Sequence, residues 1–165
     1  MRKFVLLVSL ALAISAPDLA RASIFDAPPA LLGVKSLRLF TVPGVVTAGG
    51  LGTFFTCTNL SQSPVNIAIE LYAADDVDAC NPLLPVTVDP GKTVSLHTQN
   101  TSASSYSGSV PLTTPPIYMS LGMASILSTS KKVVCSAFKS DVYDSPPMTS
   151  TALPVYNAKK GQIGN

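Results

Sequence analysis

The chain has 165 residues, enough for one domain with its own core. Its formal charge of +2 is carried by the N-terminal segment: residues 1–22 hold Arg2, Lys3, Arg21 and Asp18, and without them eight basic and eight acidic side chains remain. A balanced charge, with Lys131-Lys132 and Lys159-Lys160 as isolated pairs, excludes an electrostatic footprint for nucleic acid or anionic lipid.

Arg2 and Lys3 precede an apolar run over residues 4–14, which gives way to small residues ending in Ala20-Arg21-Ala22. Positive, apolar and small-residue regions in that order predict a signal peptide, helical over its apolar part and cut after Ala22. A cut after Ala16 would place Pro17 directly behind it and lacks the A-x-A spacing. The run falls short of the roughly 20 residues that span a bilayer. No cysteine stands at the junction to accept a lipid. The expected organisation is a signal peptide over 1–22, a β-domain over 23–158 and a loose tail over 159–165. The expected location is periplasmic or extracellular, with no membrane span after cleavage.

Turn signals recur about every ten residues beyond the leader, and no stretch holds a helical period, the pattern of an all-β sandwich or barrel. An opening strand is expected over 36–42 and a second over 51–60, which Ser61-Gln62-Ser63-Pro64 joins to a third over 65–73 as a hairpin. In the third, Val65, Ile67, Ile69 and Leu71 alternate with Asn66, Ala68, Glu70 and Tyr72, giving a buried and an exposed face. Residues 75–82 read as irregular. Asp89-Pro90-Gly91-Lys92 has Pro and Gly at the central positions of a type II turn between strands at 85–88 and 93–99. After the Ser/Thr-rich stretch 100–116, strands over 117–128 and 132–141 read as another hairpin. Residues 143–147 read as irregular, and a last strand over 149–157, broken at Pro154, belongs at an edge or bulge. The sum is seven or eight strands, most economically an antiparallel two-sheet sandwich.

Nucleophilic catalysis through a Ser-His-Asp or Cys-His site needs an imidazole, and the chain has only His97, on the predicted outward face of its strand as a solvated side chain. Cys57, Cys80, Cys135 and His97 include no close C-x-x-C pair, so no zinc ligand set is read, and one histidine cannot build a blue-copper site. Asp75, Asp76 and Asp78 lack the glycine and closing glutamate of a calcium loop and read as a solvated connection. Glu70, the single glutamate, is placed on an exposed strand face, away from any second carboxylate. Asn59-Leu60-Ser61 and Asn100-Thr101-Ser102 match the glycosylation sequon, a pattern frequent by chance. No catalytic, cofactor-binding or metal-ligating residue is assigned.

Three cysteines in an exported chain imply one disulfide and one remaining thiol. Cys57 and Cys135 lie mid-strand beside Phe54-Phe55 and Val133-Val134, so they are expected to pair, leaving Cys80 as a free thiol or a link to another chain. The alternatives are Cys57 with the nearer Cys80, leaving Cys135 a buried thiol, and no disulfide at all. Closing 78 residues would stabilise the fold by about 4 kcal/mol on the chain-entropy model.

The segments Phe55-Thr56-Cys57-Thr58-Asn59-Leu60 followed by the strand from Pro64 to Leu71, Asp89-Pro90-Gly91-Lys92-Thr93-Val94, residues 124–137 from Ala124 to Ala137, and Pro146-Pro147 before Leu153-Pro154-Val155 resemble a loosely defined group of uncharacterised bacterial exported proteins with an immunoglobulin-like sandwich. The resemblance spans about residues 50–157. It implies the fold and a periplasmic or extracellular setting and transfers no functional residue. The resulting expectation is a non-catalytic binding or structural module with an unknown protein or envelope partner and no cofactor. The alternatives are a metal- or ligand-carrying periplasmic domain and an unrecognised hydrolase.

Overall fold

The computed structural model describes residues 24–74, 80–98, 109–111, 118–142 and 150–158, with 80–83 and 109–111 as backbone. The signal peptide and the tail expected over 1–22 and 159–165 lie outside the described residues. Every regular element among the described residues is a strand: β1 (Leu37–Ala48), β2 (Leu51–Asn59), β3 (Val65–Ala73), β4 (Cys80–Val88), β5 (Thr93–His97), β6 (Ser109–Pro111), β7 (Met119–Ser128), β8 (Val133–Asp141), β9 (Ser150–Leu153) and β10 (Tyr156–Asn157). The expected seven or eight strands thus become ten. The short β6 falls inside the stretch read as irregular, and Pro154 splits the last strand in two because it cannot donate to a ladder.

Two ladders make up the sheet. In one, β3 pairs with β4 and β7, and β7 pairs on its far side with β1, which also meets β10. In the other, β2 lies between β8 and β5; β8 carries β9, and β5 carries β6 in parallel. The remaining described pairings are antiparallel. The ladders join at one corner, where Thr47 and Ala48 of β1 face Gly52 and Leu51 of β2. Gly49 and Gly50 close that corner at φ 59° and 83°, a conformation that a two-residue turn requires and glycine adopts without strain. A second bend lies within β1, which runs six residues past the expected end at Val42: Gly44, at φ 78°, sits where the β1–β7 register slips between Pro43 and Val45.

The expected hairpins do not form. The connections after β2 and β7 each carry the chain from one ladder to the other, because β2 is held along its length by β8 and over Phe54–Thr58 by β5, while β7 is held by β1 and β3. The turn Asp89-Pro90-Gly91-Lys92 makes the same kind of crossing from β4 to β5. It has the expected geometry, with Lys92 N donating to Asp89 O at 3.0 Å and Gly91 at φ 69°. The main core draws on both ladders: Val42, Val45, Ile67, Ile69 and Ile126 from one, Phe55, Cys57, Leu96 and Ala137 from the other.

Candidate functional site

Cys57 and Cys135 stand opposite each other on β2 and β8, with Cα atoms 4.2 Å apart, and are joined by a disulfide. This bond uses both sulfurs and removes them from any zinc set. Cys80 then has no intrachain disulfide partner; its backbone opens β4, facing Leu71. Asp75, Asp76 and Asp78 lie outside the described residues. Among the described residues no group of three or more His, Cys, Asp or Glu side chains could hold a metal ion.

Three residues placed on exposed faces, Ala68, Glu70 and His97, are buried. Glu70 faces away from the main core as its alternation requires, yet its side chain is 3% exposed. Residues 24–36 cross this outer face as a strap: Leu31 packs on Ala68 and Leu127, and Asn66 Nδ2 donates to Leu31 O at 3.4 Å. Beneath the strap, Arg38 Nη2 donates to Glu70 Oε2 at 3.0 Å, and Tyr72 Oη donates to the same oxygen at 2.7 Å. Burial first, and then the bond to the Glu70 carboxylate, pushes the Tyr72 phenol up to about 12. Period-two alternation fixes which face a residue takes and carries no information on whether another segment covers that face.

The same correction applies to His97. It lies on the face opposite Leu96, as expected, and is 3% exposed, not solvated. Its ring stacks on Phe54 with centroids 5.6 Å apart, and Phe54 stacks in turn on Phe138 at 5.1 Å. The register sets this aromatic row, since His97, Phe54 and Phe138 are direct cross-strand partners on β5, β2 and β8.

The two ends of the sheet differ in chemistry. At one end lie the crossings after β2, β4 and β7, tied together by Asn59. Its Nδ2 donates to Ser63 O and to Val88 O, each at 2.9 Å, while its Oδ1 accepts from Ser61 N and Ser61 Oγ. Its backbone bonds the Pro90-Gly91 turn, and Leu60 N donates to Lys132 O at 2.8 Å. The Asn59 amide of the first sequon is therefore fully engaged inside the fold.

At the opposite end the β1–β2 corner is pinned by buried threonines: Thr53 N donates to Thr98 Oγ1 at 3.0 Å, and Thr98 Oγ1 to Val46 O at 3.0 Å. Beside that corner, large apolar side chains stand in solvent just before and within the start of β7 and at the start of β2. Tyr118 is 78% exposed, Leu121 56% and Leu51 39%. The register explains Leu121: Met119 faces Thr47 and Gly122 faces Val45, so β7 carries an extra residue, and Ser120 and Leu121 both reach solvent. The links between β3 and β4, β6 and β7, and β8 and β9 also start or finish at this end. It is the candidate site. The sequence signal for its corner was the Gly49-Gly50 pair between two apolar runs, a hairpin mark that the strand reading passed over.

No helix among the described residues is long and apolar enough to cross a membrane. No family model matches the chain, and no curated protein matches it. Among solved structures, the chain is similar to the Anabaena sensory rhodopsin transducer at 19% identity and a TM-score of 0.42, over 59% of this chain and 92% of that one. It is also similar to the crystal structure of Thermotoga maritima 1070, at 15% identity and a TM-score of 0.45, over 70% of this chain and 90% of that one.

Proposed function

We propose that the chain is an exported, non-catalytic module of the immunoglobulin-like sandwich kind, as in the bacterial exported proteins it resembles, and that it binds a protein partner in the cell envelope or extracellular space. The sandwich reading is supported by a core shared between the two ladders, since facing sheets bury their inner faces against each other. Export is supported by the leader over 1–22 and by the Cys57–Cys135 disulfide, a bond that persists in oxidising compartments. The observation that carries the binding reading is the open end, where Tyr118 and Leu121 present apolar surface beside the rigid β1–β2 corner. Tyrosine is among the side chains that contribute most to protein interfaces, and Leu121 adds exposed apolar area near it.

A photo-crosslinking residue placed at Tyr118 or Leu121, with the chain expressed in an exporting bacterium, tests this reading. Discrete adducts of one mass are expected from both positions and none from Leu60, which is exposed at the other end. Equal labelling from Leu60 would refute the open end as the interface.

A further inference from the structure

The strap over residues 24–36 reverses at one tight turn. Leu31 and Val34 exchange two backbone bonds around Leu32 and Gly33, which stand at φ 50° and 79°. Positive φ at both central positions marks a primed two-residue turn, where Asn or Gly is favoured. A leucine in the left-handed region is disfavoured about ten-fold by contact between its Cβ and the backbone. Burial does not offset this. The Leu32 side chain is 63% exposed, and a Cβ added at Gly33 would meet no atom of the described residues within 4 Å. The anchors of the strap all cross this turn. Before it lie the carbonyls of Ile24, Asp26, Pro29 and Leu31, and after it lie their donors. Arg38 Nη1 donates to Ile24 O and, at 3.3 Å, to Asp26 O; Ser36 Oγ donates to Pro29 O at 2.6 Å, and Asn66 Nδ2 to Leu31 O at 3.4 Å. The Leu31 side chain packs on Ala68 and Leu127, also beyond the turn.

We propose that residues 24–31 exchange between two copies of the chain, with Leu32 and Gly33 as the hinge, so that each copy's strap seats on the outer face of the other. Opening the turn takes Leu32 out of the left-handed region in both copies. Arg38, Ser36, Asn66, Ala68 and Leu127 of each copy then receive the same groups as before, supplied by the second chain. Only the turn changes, which is the condition under which exchanging an identical element is a low-cost route to a dimer, and short hinges under strain favour it. The occupant follows from the fold itself, since the seat is filled by this very segment. Leu31 sits over Leu127, toward the opposite end of β7 from Leu121, so this interface is separate from the open end. Seating within one chain competes through a local concentration of about a millimolar for a short connection. Relief of about ten-fold at each of two turns brings exchange down to about 10 µM.

Sedimentation velocity of the purified protein from about 1 µM to about 1 mM tests the exchange, with a monomer–dimer midpoint expected at about 10 µM. Leu32→Asn, which gives the closed turn the residue it favours before Gly33, should weaken the dimer by about ten-fold or more. Deleting Gly33 leaves one residue between Leu31 and Val34, too few for the closed turn, and should give a dimer that persists at about 1 µM. In that dimer, amide hydrogen exchange over residues 24–31 should stay as slow as in the parent monomer, because the strap is seated on the other copy. A parent still monomeric at about 1 mM, or a dimer that Leu32→Asn leaves unchanged, overturns the exchange. So does a Gly33-deleted chain that is folded but monomeric, or one whose strap loses its protection. Should the deletion unfold the domain, the comparison of the parent with Leu32→Asn decides alone, since that change touches only the exposed turn.

Discussion

The two ends of the sheet are made by the same strands and use their connections in opposite ways. At the end built around Asn59, three short crossings bond to one another through side chain and backbone, leaving the chain little freedom of register. At the other end the links are longer in sequence, and Tyr118, Leu121 and Leu51 stand in solvent. The difference separates specification from use. A strand pair slipped by one residue turns its apolar face outward, so the register has to be fixed somewhere, and the tied end fixes it. With the register secured there, the open end can display apolar surface without risk to the core, as expected of segments that carry function on a rigid scaffold.

Substitutions should follow this division, with large effects in the tied body and small ones at the open end. The largest is expected for Glu70→Ala, which leaves the Arg38 guanidinium without its carboxylate under the strap. Removing one partner of a buried pair costs about 3 kcal/mol, measurable as a lower urea midpoint. The double variant Arg38→Met/Glu70→Leu should recover most of that loss. Tyr72 adds a pH signature at the same place. Its phenol titrates at about 12 in the folded chain and near 10 when unfolded, so its contribution is complete below pH 10 and is lost as the pH rises toward 12. Tyr72→Phe should flatten that alkaline decline relative to the parent, the other tyrosines being common to both.

Asn59→Ala comes next, at about 2 kcal/mol, because it strands Val88 O and frees the Ser61 turn together. A comparable loss from a polar substitution at the open end would break the comparison.

Much of this division was legible in the residues. The span of β3, the turn at Asp89-Pro90-Gly91-Lys92 and the break at Pro154 follow from alternation and turn chemistry, which are local. Strand partners were not legible. A short polar connection between two apolar runs fits a hairpin and a crossing between ladders equally well, and the choice is made by distant strands that occupy both edges of one strand, as β8 and β5 do for β2. Exposure was misread for the same reason at Glu70 and His97: the alternation assigned their faces, while the cover came from a strap more than thirty residues away for one and from cross-strand aromatics for the other. The open end had the weakest signal. Leu121 reads as one more apolar residue in a strand until the register shows the extra residue that turns it outward.

His97→Ala should now cost about 1 to 2 kcal/mol, where a solvated histidine would have cost almost nothing. His97→Phe, which preserves the stack on Phe54, should recover part of the loss. An alanine variant as stable as the parent would place His97 with the open surface instead of the tied body and blur the contrast between them.

The smallest stability effects belong to Tyr118→Ser and Leu121→Ser. Both side chains are largely in solvent, so little apolar area is lost from the fold, and each change should stay within about 0.5 kcal/mol in urea unfolding. Gly122 next to them sharpens the point. A Cβ there would meet the backbone oxygen of Tyr72 at 2.5 Å, so Gly122→Ala should destabilise the sheet although it adds a single methyl group beside Leu121. Tolerance at 118 and 121 together with intolerance at 122 would locate the boundary between scaffold and display surface within one strand. If Leu121→Ser unfolds the protein instead, Leu121 is supporting the fold, and the apolar side chains at this end are not a surface available to a partner.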